Sequence, residues 1–313
     1  MDLTDFFRSS KVVVVAGKGG VGKTTVSVVL SAAAAEAGLR CLLVAIAGRA
    51  ETSEGVGIDP DIGRIVREGG HVEVMQLTPA MVIQEQVAKR RAEEVGRQIE
   101  RREELARLLR SWSPGLSSLL LLAKIRKLSE RTDLDLIVVD APATGNASLF
   151  LRAPTATLET IESGELRSQA ELAQAMLTDP SRCQITLVTL AAESPVNELI
   201  ETAYELEDEI GVKLGPVVVN AVEGAPEGLP DPETWQAPAD LGLSSQEVAS
   251  LVEAVAFTRA RHRLEERELS RLREELPLPR IELPLMPSVG LDDEALQTLV
   301  DRLRDGVAAL TAR

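Results

Sequence analysis

The chain reads as an α/β protein built on a mostly parallel, doubly wound sheet flanked by helices. Three observations lead there. Short apolar runs alternate with segments of helical character, the rhythm of strands joined by crossover helices. A glycine-rich turn stands between the first apolar run and the first helix. The 44% hydrophobic content over 313 residues is enough for a substantial core.

Taken in order, Lys11–Ala16 (KVVVVA) predicts a central strand, and Thr24–Ala37 a helix stopped by Gly38. Cys41–Ile46 is a second buried strand, and the alternating His71–Leu77 an edge strand. Leu134–Asp140, Gln184–Leu190 and Pro216–Ala221 continue the set. Arg280–Leu285 is the last strand and Leu291–Leu310 a closing helix. Two regions break the alternation. Pro79–Arg131 holds two helical stretches split at Ser113-Pro114-Gly115, the first charged over Gln84–Arg110, the second leucine-rich over Leu116–Leu128. Leu158–Leu177 predicts one further inserted helix. These insertions, roughly 79–131 and 155–178, are expected to form a helical subdomain over one sheet edge within a single domain spanning 1–313. Ala225–Pro238, rich in Pro, Glu and Gly, reads as a loop, and Ser244–Leu276 as a long charged helix.

Composition excludes several functions. A net charge of -15, from 49 acidic and 34 basic residues, repels phosphate backbones, and 2% aromatic content leaves little for base stacking. No nucleic-acid partner is expected. The polar Met1–Ser10 lacks a secretory h-region, and no apolar stretch approaches the ~20 residues of a membrane span. The two separated cysteines, Cys41 and Cys183, read as buried free thiols of a cytoplasmic protein.

Gly17-Lys18-Gly19-Gly20-Val21-Gly22-Lys23-Thr24 satisfies the phosphate-loop pattern G-x-x-x-x-G-K-[ST], after a strand and before a helix, as the motif requires. Glycines let backbone N–H groups turn inward around phosphate oxygens, and the helix start adds a positive dipole end. Lys23 is expected at the β- and γ-phosphates of ATP or ADP, and the Thr24 hydroxyl on Mg²⁺, with Thr25 completing the binding run. Asp140, ending a buried strand, is the second candidate Mg²⁺ holder, acting through water. Asn220, at another strand end, offers an amide donor and acceptor to a base edge, or else caps its strand.

The full pattern K-G-G-x-G-K-T-T resembles the deviant phosphate loops whose first lysine crosses a dimer interface to the partner's nucleotide. Asp140-Ala141-Pro142-Ala143-Thr144-Gly145-Asn146 and the following Phe150-Leu151-Arg152-Ala153-Pro154 resemble the second switch of the arsenite-pump and tail-anchored-protein-targeting ATPases, in their bacterial branch. Val217-Val218-Val219-Asn220 resembles that family's adenine-reading strand end, and Pro284-Leu285-Met286-Pro287 the loop covering the base. The resemblance implies a nucleotide-sandwich dimer, homo- or heteromeric, in which Lys18, Lys23 and Asp140 act on the phosphates and Leu285 and Met286 lie against the base.

The departures are specific. Ala47 stands where the family carries the switch I aspartate that orients the attacking water, and Asn146 replaces a histidine. Glu51 or Glu54 is the nearest substitute carboxylate, but each reads better as a solvated loop glutamate. The zinc-binding C-x-x-C and the metalloid-binding cysteines are missing. The expectation is a nucleotide-switched ATPase, slow on its own and complemented by a paralogous partner. The alternative is a client-binding or regulatory subunit, with Leu119–Leu122 as candidate lining for an apolar client, although ordinary packing of that helix on the sheet is the favoured reading of those leucines. A positioning ATPase on DNA or membrane is disfavoured by the acidic charge.

Overall fold

A computed structural model describes residues 1–46, 72–85, 114–142, 147–224, 243–287 and 290–310. The expectations placed on Ala47–Glu51 and Glu54, on His71, on residues 86–113, on Ala143–Asn146 and on Ala225–Pro238 lie outside the described residues.

The described residues form a seven-stranded sheet, entirely parallel, in the order β3-β2-β4-β1-β5-β6-β7. The strands are β1 (Val12–Gly17), β2 (Cys41–Ile46), β3 (Val72–Leu77), β4 (Leu136–Asp140), β5 (Cys183–Leu190), β6 (Val217–Val222) and β7 (Arg280–Pro284). The central strands are apolar without alternation because both sheet faces are covered. On one face Val12, Val14, Leu42, Val44, Ile137 and Val139 enter one core; on the other Val13, Val15, Leu43, Leu136 and Val138 enter a second. β3 is an edge strand, as its alternating sequence predicts, with Glu73 exposed.

Eight α-helices cover the sheet among the described residues that carry named elements: α1 (Leu3–Arg8), α2 (Lys23–Glu36), α3 (Pro114–Ser129), α4 (Ala147–Thr160), α5 (Glu165–Leu177), α6 (Glu193–Glu205), α7 (Ser245–Glu275) and α8 (Asp293–Ala309). Residues 79–85 are also helical. α2 and α8 build the second core together with α1, which the polar N-terminal sequence concealed: its Phe6 and Phe7 are buried in edge-to-face contact with centroids 5.2 Å apart. α3, α4 and α5 pack against one another and contribute to the first core.

Two readings need correction, and one alternative falls in favour of the packing expected for it. The single helix expected over Leu158–Leu177 is two, α4 and α5, because Gly164 turns to a φ of 102° at the start of α5. β4 begins at Leu136, not Leu134, since the N–H groups of Asp135 and Leu136 both turn to the Arg40 carbonyl. And Leu119–Leu122 line no open groove: their exposures are 0, 8, 4 and 0%, so the leucine cluster fills the core under α4 and α5.

At the rim where β2 and β4 begin, Arg40 pairs with Asp135 at 2.9 Å, and Arg131 with Glu73 at 2.9 Å and Asp133 at 2.6 Å. The phosphate loop lies at the opposite end, where β1 and β4 finish. Among the described residues no helix is long and apolar enough to cross a membrane, and no cluster of three or more His, Cys, Asp or Glu side chains has metal-binding geometry.

Candidate functional site

The site begins where β1 stops. β1 is the central strand, with β4 on one side and β5 on the other, and the chain leaves its C-terminal end for α2. Gly17 makes that exit possible: its φ is 152°, and a Cβ there would stand 2.3 Å from the Val188 carbonyl oxygen of β5. Lys18, Gly19 and Gly20 form the outer turn, with both glycines exposed. Val21 turns its side chain into the second core, at 2% exposure. Gly22 adopts a φ of 87° and opens α2, its carbonyl accepting from the Val26 N–H at 3.0 Å. A strand, a tight glycine turn and a helix N-terminus aimed at one point make an anion cradle.

Lys23 lies in the first turn of α2, only 6% exposed, and its ammonium donates to the Lys18 carbonyl at 2.9 Å. Burial pulls its pKa below the ordinary lysine value, and Asp140 opposes that pull. Thr24 follows, exposed, and its hydroxyl donates to Asp140 Oδ2 at 2.7 Å. Asp140 ends β4, in register with Val15 of β1, which sets it level with the start of the loop. Burial pushes its carboxyl above the usual carboxylate range, while Thr24, the Lys23 charge and Ser27 pull it back. Ser27, which sequence reasoning missed, donates to Asp140 Oδ1 at 3.4 Å. It sits three residues after Thr24, so helical spacing puts both hydroxyls on one face, and that periodicity was the available signal. Thr25 is half-buried in the same turn.

A partly desolvated ammonium and a partly desolvated carboxylate share this cradle. The ammonium meets a backbone carbonyl where a phosphate oxygen would suit it better, and the carboxylate is met by two hydroxyl donors and by the Lys23 charge. Both groups would gain from a magnesium–triphosphate ligand, so the residues present fit that group.

Lys18 points away from the cradle of its own chain. Its ammonium pairs with Glu198 and donates to the Ser194 hydroxyl at 2.9 Å. Both partners belong to α6, and neither was singled out in the sequence, where no spacing rule connects position 18 to position 198.

Asn220 ends the ladder of β6, opposite Leu190 of β5, and is 9% exposed. Its amide nitrogen donates to the Val21 carbonyl of the loop at 3.0 Å. Leu285 lies close by through its backbone, its N–H donating to the Val222 carbonyl at 2.9 Å, while its side chain is 47% exposed. Met286 packs partly against the second core. The structure thus gathers the loop, Asp140, Asn220 and the Leu285 segment at the C-terminal ends of β1, β4, β6 and β7, the rim where parallel sheets bind ligands.

Comparison with known proteins points the same way. Residues 10–169, just over half of the chain, match the sequence profile of the anion-transporting ATPases. Over 92% of its length the chain is 28% identical to ATPase BagA of Mycobacterium tuberculosis, covering 91% of that protein, and equally to a provisionally named ATPase of Mycobacterium bovis. A protein of Halobacterium salinarum, provisionally described as an arsenical pump-driving ATPase, is 25% identical over 65% of this chain and 34% of its own length. The matched segment contains the whole cradle from Gly17 to Asp140, and with it the phosphate loop of an ATPase; the chain belongs to the anion-transporting ATPase family.

Proposed function

We propose that the protein is a nucleotide-switched ATPase that holds Mg-ATP on Gly17–Thr25 and works as one half of a dimer. The observation that carries this reading is the pair made by Thr24 and Asp140 beneath the loop, at 2.7 Å. A hydroxyl and a carboxylate from two adjacent elements converge where the phosphate end of a nucleotide would lie. Lys23 is the charge for the β- and γ-phosphates, and exchanges its bond to the Lys18 carbonyl for a phosphate oxygen. Thr24 and Asp140 hold magnesium, directly or through water, and magnesium neutralises charge on the phosphate oxygens when bound. The Ala141 N–H donates to the Val15 carbonyl of β1 at 3.1 Å, so Asp140 is anchored beside the strand that feeds the loop.

Lys18 acts in trans. In the isolated chain its charge is neutralised by Glu198, a half-exposed, solvent-screened ion pair worth about 1 kcal/mol. A partner's triphosphate carries several negative charges, so exchange of Glu198 for it is favourable once two subunits meet. Ala47 supplies no carboxylate to orient water, so hydrolysis by this chain alone is slow, and a paralogue carrying that acid is the complementary partner.

Titration calorimetry of the purified chain with Mg-ATP tests the reading. Binding is expected, with Lys23→Ala weakening it at least ~100-fold by removing a buried phosphate contact. No heat with the unmodified chain would end the proposal. Turnover by the chain alone at a rate typical of competent ATPases, abolished by Lys23→Ala, would leave nucleotide binding standing and remove the slow-subunit part.

A further inference from the structure

Asn220 does something that base recognition does not require. Its amide nitrogen faces the Val21 carbonyl, which can only accept, so the donor end of the amide is fixed toward the loop. The same nitrogen lies 2.1 Å from where a Cβ on Gly22 would stand, and Cγ lies 3.3 Å from it. The amide therefore occupies the space that the bare Gly22 leaves open, and one side chain braces two successive residues of the loop. The brace is itself held. Asn220 pairs with β5 through Leu190, and the next residue, Ala221, takes a left-handed φ of 52°, the one non-glycine residue with positive φ among those described. That turn shifts the register between β6 and β7 from Val219 to Val222 and brings the Glu223 N–H to the Glu265 carboxylate of α7, at 3.1 and 3.2 Å.

The chemical consequence follows from how a phosphate loop works. Its amides point inward only if the intervening carbonyls point outward. An outward carbonyl in a covered position needs a donor, or it turns back toward the cavity and presents negative charge to the anion. For Val21 the donor is Asn220. One N–H of the amide is used in this way; among the described residues no other hydrogen bond engages the side chain, which leaves its second N–H and its oxygen for a ligand.

We propose that Asn220 is the positioning residue of the phosphate loop: by donating to the Val21 carbonyl and filling the space over Gly22, it sets the loop amides for the triphosphate whether or not a base is bound. This rests on the reading above that the loop binds Mg-ATP. The role is separable from base reading because a base reader affects only ligands that have a base.

The test compares Mg-ATP with Mg-tripolyphosphate, which has no base, by calorimetry on the unmodified chain, Asn220→Ala and Asn220→Asp. Asp keeps the volume of Asn but lacks the donor. Both variants are expected to weaken both ligands by a similar factor, about tenfold or more, the loss from one buried hydrogen bond. Unchanged tripolyphosphate affinity alongside weakened Mg-ATP would overturn the proposal and leave Asn220 as a base reader. Failure of the unmodified chain to bind either ligand would instead remove the nucleotide reading, and this inference with it. A ligand-free measurement guards against misfolding. Gly22→Ala should lower the melting temperature less in the Asn220→Ala background than in the unmodified chain, because the space is then vacant. Equal losses in both backgrounds would show that the two residues do not brace one another, and would overturn the proposal.

Discussion

Asp140 is a carboxylate held mostly out of water at the end of β4. Its pKa is raised mainly by burial, so the folded state disfavours the ionised form. The sign follows from linkage: a raised folded value means Asp140 adds stability at low pH and loses it as pH rises through that value. Asp140→Asn should therefore raise the ligand-free melting temperature at neutral pH, with an advantage that shrinks as the solution is acidified from the raised value down to the ordinary carboxylate range and is gone below it. The same variant should lose Mg²⁺-dependent nucleotide affinity. Differential scanning fluorimetry across pH checks the first half and calorimetry with and without Mg²⁺ the second. Glu198 presents another case, a half-buried carboxylate paired with Lys18, the lysine proposed to act on a partner's nucleotide. Glu198→Gln should leave monomer stability within about 0.5 kcal/mol. It should strengthen nucleotide-dependent self-association or pairing with a paralogue by up to about fivefold, measured by analytical ultracentrifugation with Mg-ATP.

The helices divide by what they bury. α3 puts Leu119, Leu122 and Ile125 at 0% exposure between the sheet and its neighbouring helices, so Leu122→Ala should cost about 2–5 kcal/mol in chemical denaturation. Leu149 on α4, 59% exposed, should tolerate the same change within about 0.5 kcal/mol. α7 differs from both. Of its 31 residues only Glu268 and Leu272 are buried, near its C-terminal end, where Tyr204 of α6 donates to the Glu275 carbonyl. Its N-terminus relies on a capping box between Ser244 and Glu247. Ser244→Ala should leave global stability unchanged while speeding amide exchange through the first turns, because that half of the helix opens independently of the core. What was legible in the sequence follows the same division. β1, β2, β6 and the cradle were readable because apolar runs and a glycine pattern are local signals. α1 was not, since Phe6 and Phe7 are buried by α2 and α8 from distant sequence. The hold of Asn220 on Val21 and of Glu198 on Lys18 was also hidden, because each joins positions more than 170 residues apart through tertiary packing alone.

For the molecule as a whole, both thiols are inert by placement. Burial pushes Cys41 and Cys183 up to about 12, and both are fully covered. Ellman's reagent should find no reactive thiol in the native protein and two after denaturation, and no disulfide should appear under mild oxidants. The order of the strands carries a consequence of another kind. Of the described strands β1 is made first, yet it is the middle one, and its neighbours β4 and β5 begin only at Leu136 and Cys183. Throughout that interval of synthesis the run Val12–Ala16, apolar on both faces, has neither of its native partner strands. A nascent or prematurely terminated chain is thus a sticky template, and productive folding waits on segments far downstream. Chaperone shielding during translation, rather than any property of the finished enzyme, becomes the condition on which a good yield of this protein depends.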